Sequence, residues 1–293
     1  MLETEKLKLT IPPVIPSYCY LIAEIGINHN GSIEIAKEII NKSKLAGFDA
    51  VKFQKRTVNI VYSNEVLNMP RESPWGNTTR DQKYGLEFSI DQYKEIDRYC
   101  KSINMPWFCS SWDIESQKEM MTFDNPFNKI ASAMAIKWDF VTEVAKEKKI
   151  TFASTGMMKI EEIDKLVSIF QKENCPVVLM HTVSTYPAKE ENLNLNCIHT
   201  LASRYKIPIG YSGHESSTAA SIFAAVLGSV VIERHVTLDR SMYGSDQSAS
   251  LEIPGMNALC STIRKINICL GDGEKRILQE EEEIAEKLRY WIA

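Results

Sequence analysis

The chain has 293 residues, 44% hydrophobic and 25% charged, with a formal net charge of -4. This is globular composition, enough for one large domain or two small ones. With no basic block it argues against nucleic acid, and no apolar run reaches the roughly 18–20 residues of a membrane span.

The opening MLETEKLKLT lacks the apolar region of a secretory signal. The seven cysteines are an odd count without CxxC spacing. Both points lead to the expectation of reduced thiols in a cytoplasm.

In chain order, residues 19–25 (CYLIAEI) form a first β-rich run that carries Glu24 and leads into GINHNG. A helical pattern follows at 32–47, where Ile33, Ala36, Ile39, Ile40 and Leu45 recur near period 3.6, between the N-cap candidate Ser32 and the stop signal Gly47. Residues 49–54 (DAVKFQ) read as a second strand with Lys52 and Gln54. The stretch 56–88, rich in Pro, Gly and Asn, reads as a long irregular loop. Such a loop in a compact domain is usually functional, and a lid is expected here.

A helix capped by Ser89 precedes PWFCSS (106–111), which ends at Ser110 and Ser111 before Asp113. FNKIAS (127–132) holds Lys129 and Ser132, and ITFAST (150–155) ends at Ser154 and Thr155 before Gly156. A helical pattern at 159–173 leads to PVVLMHT (176–182), ending at His181 before Ser184 and Tyr186. IPIGYS (207–212) ends at Tyr211 and Ser212 before His214. A last helix closes at Gly228, and GSVVIER (228–234) runs through Glu233 to His235.

Eight strands, each followed by a helical pattern, predict a single-domain (β/α)8 TIM barrel over 1–275 with a helical tail at 276–293. An open doubly wound sheet is the competitor. The strand count and the absence of an opening GxGxxG loop disfavour it. In a barrel the site is built at the C-terminal strand ends, and those are the positions that carry polar residues.

Lys52 lies between Val51 and Phe53, and Lys129 beside Ile130. Burying an ammonium is costly unless it meets an anion. Two such lysines with Ser132, Ser154 and the backbone near Gly156 suit a phosphate or carboxylate; the plainer alternative is that each lysine snorkels to water. His214 and His235 follow adjacent strands and suit one divalent metal, although a structural histidine is the commoner case. His199 falls mid-helix, His29 in the first mouth loop, and His181 at the mouth without an assigned role.

AEIGINHNGS, AGFDAVKFQK, KIASA, STGMM, MHTVSTYP, GYSGHE, IERHVTLDR and LGDGEK, taken together and in order, resemble the sialic acid synthase (N-acetylneuraminate synthase) family. The resemblance implies a TIM barrel, working as a homodimer, that condenses phosphoenolpyruvate with an open-chain aldose. The implied product is a nonulosonic or related 2-keto-3-deoxy sugar acid, with release of phosphate and dependence on manganese or magnesium. By motif, Lys52, Lys129, Ser132, Ser154 and Ser212 resemble the phosphoenolpyruvate pocket and Gln54 its neighbour. His214 and His235 resemble the metal ligands, and Glu24 the carboxylate that handles the attacking water. Tyr186, Asp246 and Asp113 resemble substrate-contacting residues.

Three positions depart from the family pattern. Met134 stands where a glutamate often holds the acceptor sugar, Gly213 where an aspartate is common, and Ser184 where asparagine is common. Met134 leads to the expectation of an acceptor other than N-acetylmannosamine. Long members carry a C-terminal antifreeze-like domain, and the sequence is expected to end before it. Two other readings remain: an aldolase-type barrel using Lys52 or Lys129 as a Schiff base, and a non-catalytic barrel that binds a sugar or phosphoenolpyruvate.

Overall fold

The computed structural model describes residues 3–291, so the last two residues of the expected tail and the first two of the chain lie outside it. Eight parallel strands close a barrel: β1 (Tyr20–Gly26), β2 (Ala50–Lys55), β3 (Trp107–Ser111), β4 (Asn128–Ile130), β5 (Thr151–Ser154), β6 (Val177–Thr182), β7 (Ile209–Gly213) and β8 (Val231–His235). They follow one another round the barrel in sequence order, and β8 pairs with β1.

The period of two along each strand sorts side chains between two apolar layers. Tyr20, Ile22, Ala50, Phe108, Phe127, Phe152, Val178, Met180 and Val231 pack into one cluster, which plugs the barrel. Alternate residues such as Leu21, Ala23, Val51, Phe53, Ile209 and Ile232 belong to the larger cluster with the surrounding helices. Continuing the inner parity toward the C-terminal ends gives Glu24, Lys52, Gln54, Ser110, Lys129, Ser154, Thr182, Ser212, Glu233 and His235. The register aligns them: Glu24 is opposite both Lys52 and His235, Ser110 opposite Lys129, and Ser212 opposite Glu233.

The first helix after β1, Ile33–Ala46, begins where Ser32 accepts a hydrogen bond from the Ile35 N–H and stops at left-handed Gly47. It buries Ala36, Ile39 and Ile40. Helix Ile90–Ser102 opens on a capping box between Ser89 and Gln92.

The segment 56–88 is not the irregular loop its composition suggested. It holds two short helical turns, an antiparallel hairpin (Pro70–Ser73 with Gly76–Thr78) and helix Thr79–Leu86, whose start is fixed by a capping box between Thr78 and Asp81. Pro, Gly and Asn mark turns between these short elements rather than one long excursion. At the other end of the chain, helix Gln279–Leu288 has no buried residue.

Candidate active site

The C-terminal mouth encloses a cavity of about 200 Å³. Its lining includes Glu24, Lys52, Gln54, Lys129, Ser132, Ser154, Tyr186, Ser212, His214 and His235, ten of the residues singled out from sequence. Lys52 and Lys129 are each only 2% exposed, so neither snorkels to solvent.

Their ammonium groups are held by two buried carboxylates. Lys52 Nζ lies 2.6 Å from Glu24 Oε2 and 3.8 Å from Glu233 Oε1, and Lys129 Nζ lies 3.4 Å from Glu233 Oε2. Lys129 also donates to Ser154 Oγ at 2.6 Å. Burial pushes the Glu24 carboxyl up to about 7, against the pull of Lys52. Burial acts on Glu233 in the same direction, but Lys129 and Lys52 together overcome it and bring the group down to about 2. Lys52 is raised because Glu233 and Glu24 outweigh its desolvation, whereas desolvation prevails at Lys129 and lowers it.

The hydroxyls complete a polar cup. Ser212 donates to Glu233 Oε1 at 3.2 Å, and Ser110 sits 3.4 Å from Lys52 Nζ. Ser184 Oγ is buried with no hydrogen-bond partner among the described residues. A Cβ on Gly156 would fall 2.2 Å from that oxygen and 2.7 Å from Ser132 Oγ, so glycine lets this backbone close against both hydroxyls. The unpaired Ser184 hydroxyl lines one cavity with Ser132 and the two lysines, an arrangement suited to an anion.

His214 and His235 stand with ring centroids 5.5 Å apart. His214 Nδ1 is 2.8 Å from the Val183 carbonyl oxygen. A carbonyl only accepts, so Nδ1 carries the proton and Nε2 keeps the lone pair. Burial, then His235, lowers His214 to about 4, and burial lowers His235 as well. Both rings are therefore neutral near pH 7. His235 Nδ1 is buried without a hydrogen-bond partner, 3.8 Å from Asp246 Oδ2. Two neutral imidazoles, one fixed in tautomer and one with an orphaned nitrogen, fit a divalent metal. Among the described residues no group of three or more His, Cys, Asp or Glu is arranged to hold one, so other ligands would come from water or substrate.

Tyr186 spans outward from this pair, its ring 4.1 Å from His214 and 5.8 Å from His235. Beyond it lies a second chamber of about 430 Å³, which shares Gln54, Trp112 and Tyr186 with the first. Asp246 lines this outer chamber rather than the inner cavity. Gln54 links the two, donating to Glu24 Oε1 at 2.7 Å and accepting from Arg56 Nη2.

Two residues singled out from sequence lie outside the lining of both chambers. Asp113 does not line either chamber. Its carboxylate caps helix Ile114–Met120 and accepts from Thr57 N at 2.7 Å, Thr57 Oγ1 at 3.0 Å, Ser116 N at 2.7 Å and Ser116 Oγ at 2.7 Å. Met134 ends a one-turn helix (Ser132–Met134) that directs it into the core, 6% exposed, while Ala131, Ser132 and Ala133 face the cavity. Met134 therefore gives the cavity neither a carboxylate nor a wall.

Of the remaining histidines, His181 bonds the Leu193 carbonyl at 2.7 Å and His199 the Leu227 carbonyl at 2.9 Å, while His29 stacks on Phe88 at 4.0 Å. Sequence reading placed Glu233 at the mouth but gave it no role, although its parity with Val231 and His235 marks it as inward. It also missed Trp112 and the contribution of 56–88, where Arg56, Tyr62, Lys83 and Glu87 enter the outer chamber.

The NeuB family model matches residues 39–275. N-acetylneuraminate-9-phosphate synthase from Homo sapiens is 35% identical over 92% of this chain and 76% of its own length. N,N'-diacetyllegionaminic acid synthase from Campylobacter jejuni is 31% identical over 89% of this chain and 80% of its own. A solved N-acetylneuraminic acid (sialic acid) synthetase from Leptospira borgpetersenii, in complex with citrate, superposes with a TM-score of 0.81 at 26% identity, covering 97% of this chain and 99% of that one. With the barrel, the lysine–carboxylate cup and the paired imidazoles in place, this chain belongs to the NeuB family.

Proposed function

We propose that the protein is a phosphoenolpyruvate-dependent synthase of a nonulosonic acid, joining phosphoenolpyruvate to an open-chain aldose with release of phosphate. The observation that carries this reading is the placement of Lys52 and Lys129, buried and facing one cavity, beside His214, His235 and Glu24. The names of the relatives, synthases of sialic and legionaminic acids, support it.

In this reading the phosphate and carboxylate of phosphoenolpyruvate occupy the cup. Lys52 and Lys129 exchange part of their contact with Glu24 and Glu233 for the dianion, and Ser132, Ser154, Ser184 and Ser212 supply further hydrogen bonds. His214 and His235 would hold manganese or magnesium, which would supply a Lewis acid for the acceptor's aldehyde oxygen. Carbon 3 of phosphoenolpyruvate then attacks the aldehyde carbon, and the new bond leaves positive charge at carbon 2. Glu24, as carboxylate, takes a proton from the water that adds there. The resulting tetrahedral centre collapses to the ketone as its C–O bond to phosphate breaks. The two lysines face the dianion throughout and need no reorganisation as it departs.

A Schiff-base route fits less well. Lys52 is held protonated by Glu24 and Glu233, and a protonated amine is no nucleophile. Lys129, lowered by its burial, is the only lysine of the cup suited to it. Chelation followed by readdition of manganese, monitored by phosphate release from phosphoenolpyruvate and a panel of aldoses, tests the proposal. Borohydride trapping of a pyruvoyl adduct on a chelator-treated, fully active enzyme would favour the aldolase reading instead.

A further inference from the structure

Glu24 has the attacking water to handle, but Glu233, the second carboxylate of the cup, has no part in the synthase chemistry. It is 4% exposed, and Ser212 donates to its Oε1 at 3.2 Å. A carboxylate facing a phosphate dianion repels it, so its position between two lysines needs a reason other than binding. It is not arranged as a third metal ligand beside the histidines either.

The barrel's topology supplies the reason. β4 and β8 stand on opposite sides of the ring, and Lys129 and Glu233 meet across its axis, Nζ 3.4 Å from Oε2. The strands flanking β4 bring only hydroxyls to this lysine. Ser110 on β3 is level with it, and Ser154 on β5 accepts from its ammonium at 2.6 Å. Lys52 differs, since neighbouring β1 gives it Glu24 at 2.6 Å in addition to Glu233 at 3.8 Å. Among the described residues, Glu233 is the one carboxylate within ion-pair distance of Lys129. Burial lowers the Lys129 ammonium and Lys52 pushes the same way, while Glu233 is the largest influence against the shift and Glu24 a smaller one.

Phosphoenolpyruvate keeps Lys129 charged while its dianion is bound. Once phosphate leaves, the cup holds a 2-keto acid, and a neutral Lys129 would be a nucleophile facing a ketone. In that step the amine attacks carbon 2, both N–H hydrogens leave with the carbonyl oxygen as water, and an imine joins the product to the enzyme.

We propose that Glu233 is a positioning residue that holds Lys129 as an ammonium and so bars this cup from Schiff-base chemistry with keto acids. The role rests on the synthase reading of the cup. It makes the division between phosphate release and aldolase-type chemistry in this barrel depend on one carboxylate, which acts through Lys129.

The test is reductive trapping with pyruvate, a keto acid without phosphate. The full-length protein with manganese, and with neither aldose nor phosphoenolpyruvate, is incubated with pyruvate and cyanoborohydride across a pH series. The hydride reduces any imine to a secondary amine, and peptide mass spectrometry locates it. At a given pH, Glu233→Gln should label Lys129 about tenfold to a thousandfold faster than wild type, the range set by losing an opposite charge at this distance. Its labelling profile should also move to lower pH. Glu233→Asp keeps the charge but shortens the reach, so its rate should fall between the two, which a purely structural role for Glu233 would not produce. If Glu233→Gln does not fold, the rise of Glu233→Asp above wild type carries the test. Equal or absent labelling of Lys129 in wild type and variants at every pH would overturn the proposal, as would label on Lys52 instead. So would loss of manganese from Glu233→Gln with Lys129 still unreactive, which would give Glu233 to the metal. The labelling needs no turnover, so its failure is distinct from that of the synthase reading, which fails if no aldose yields phosphate.

Discussion

Arg234 and Glu215, both 0% exposed, form an ion pair of 2.9 Å directly behind the two histidines. Arg234 precedes His235 and Glu215 follows His214, so one buried contact ties the backbone on either side of the imidazole pair. Arg234 also bonds the Glu215 and Ser217 carbonyls and Ser221 Oγ, while Tyr211 and Ser221 donate to Glu215. Gly213 belongs to this arrangement. A Cβ there would meet Glu215 Oε2 at 2.6 Å and the Tyr211 ring at 2.7 Å, so glycine stands where the family pattern often has aspartate.

Removing one partner strands a buried charge. Arg234→Met should destabilise the protein by about 3–5 kcal/mol, and the double variant Arg234→Met/Glu215→Leu should recover much of it. Denaturant unfolding of the three proteins checks this. A single variant as stable as wild type would show that the pair contributes little.

Asp113 leads to a prediction opposite to its sequence assignment. Asp113→Ala leaves the buried N–H of Ser116 and the half-buried N–H of Thr57 without acceptors, at about 1–3 kcal/mol. Affinity for phosphoenolpyruvate should not change. Thermal melts and calorimetry separate the outcomes, and a loss of affinity at unchanged stability would restore Asp113 to the substrate contacts.

The barrel was legible because strand count, periodicity and helix caps such as Ser32 and Gly47 all agreed. The inner cup was legible because lysines inside apolar strands are costly and therefore informative. Asp113 and Met134 lie away from the cavity for one reason. A motif position fixes a residue's place in the chain, whereas the turn it sits in fixes its direction: Asp113 caps a helix, and the one-turn helix at Ser132–Met134 swings Met134 into the core. Arg234 was hidden because only strand parity separates it from Glu233 and His235. The outer chamber was hidden because Lys83 meets Arg56 across 27 positions of chain folded into a hairpin and helices, which composition alone presents as loop.

The Glu24 carboxyl, raised by burial to about 7, makes activity pH-dependent. As a base it works deprotonated, so kcat/KM should rise with pH through a group near 7, the limb reporting the free enzyme. Glu24→Gln should abolish that limb along with most turnover. The stability consequence has the reverse sense. The folded value lies above the unfolded 4.5, so the contribution of Glu24 to stability is fully present below 4.5 and is lost as pH rises through 7. An unchanged acid limb in a residually active Glu24→Gln enzyme would assign the titration to another group.

Lys52→Met should weaken phosphoenolpyruvate binding by about 2–4 kcal/mol, since it removes a charge-assisted contact to a dianion. Isothermal calorimetry without acceptor reads this directly. Unchanged affinity in both Lys52→Met and Lys129→Met would remove the lysines from the anion site.

The central claim is that this cup joins phosphoenolpyruvate to an aldose by breaking the C–O bond to phosphate. Phosphoenolpyruvate labelled with 18O at the bridging position, turned over with manganese and an accepted aldose, tests it most directly. The account predicts that the label leaves in inorganic phosphate while a new 2-keto sugar acid forms in equal amount. Label retained in the organic product, or phosphate released without a new carbon–carbon bond, would contradict it.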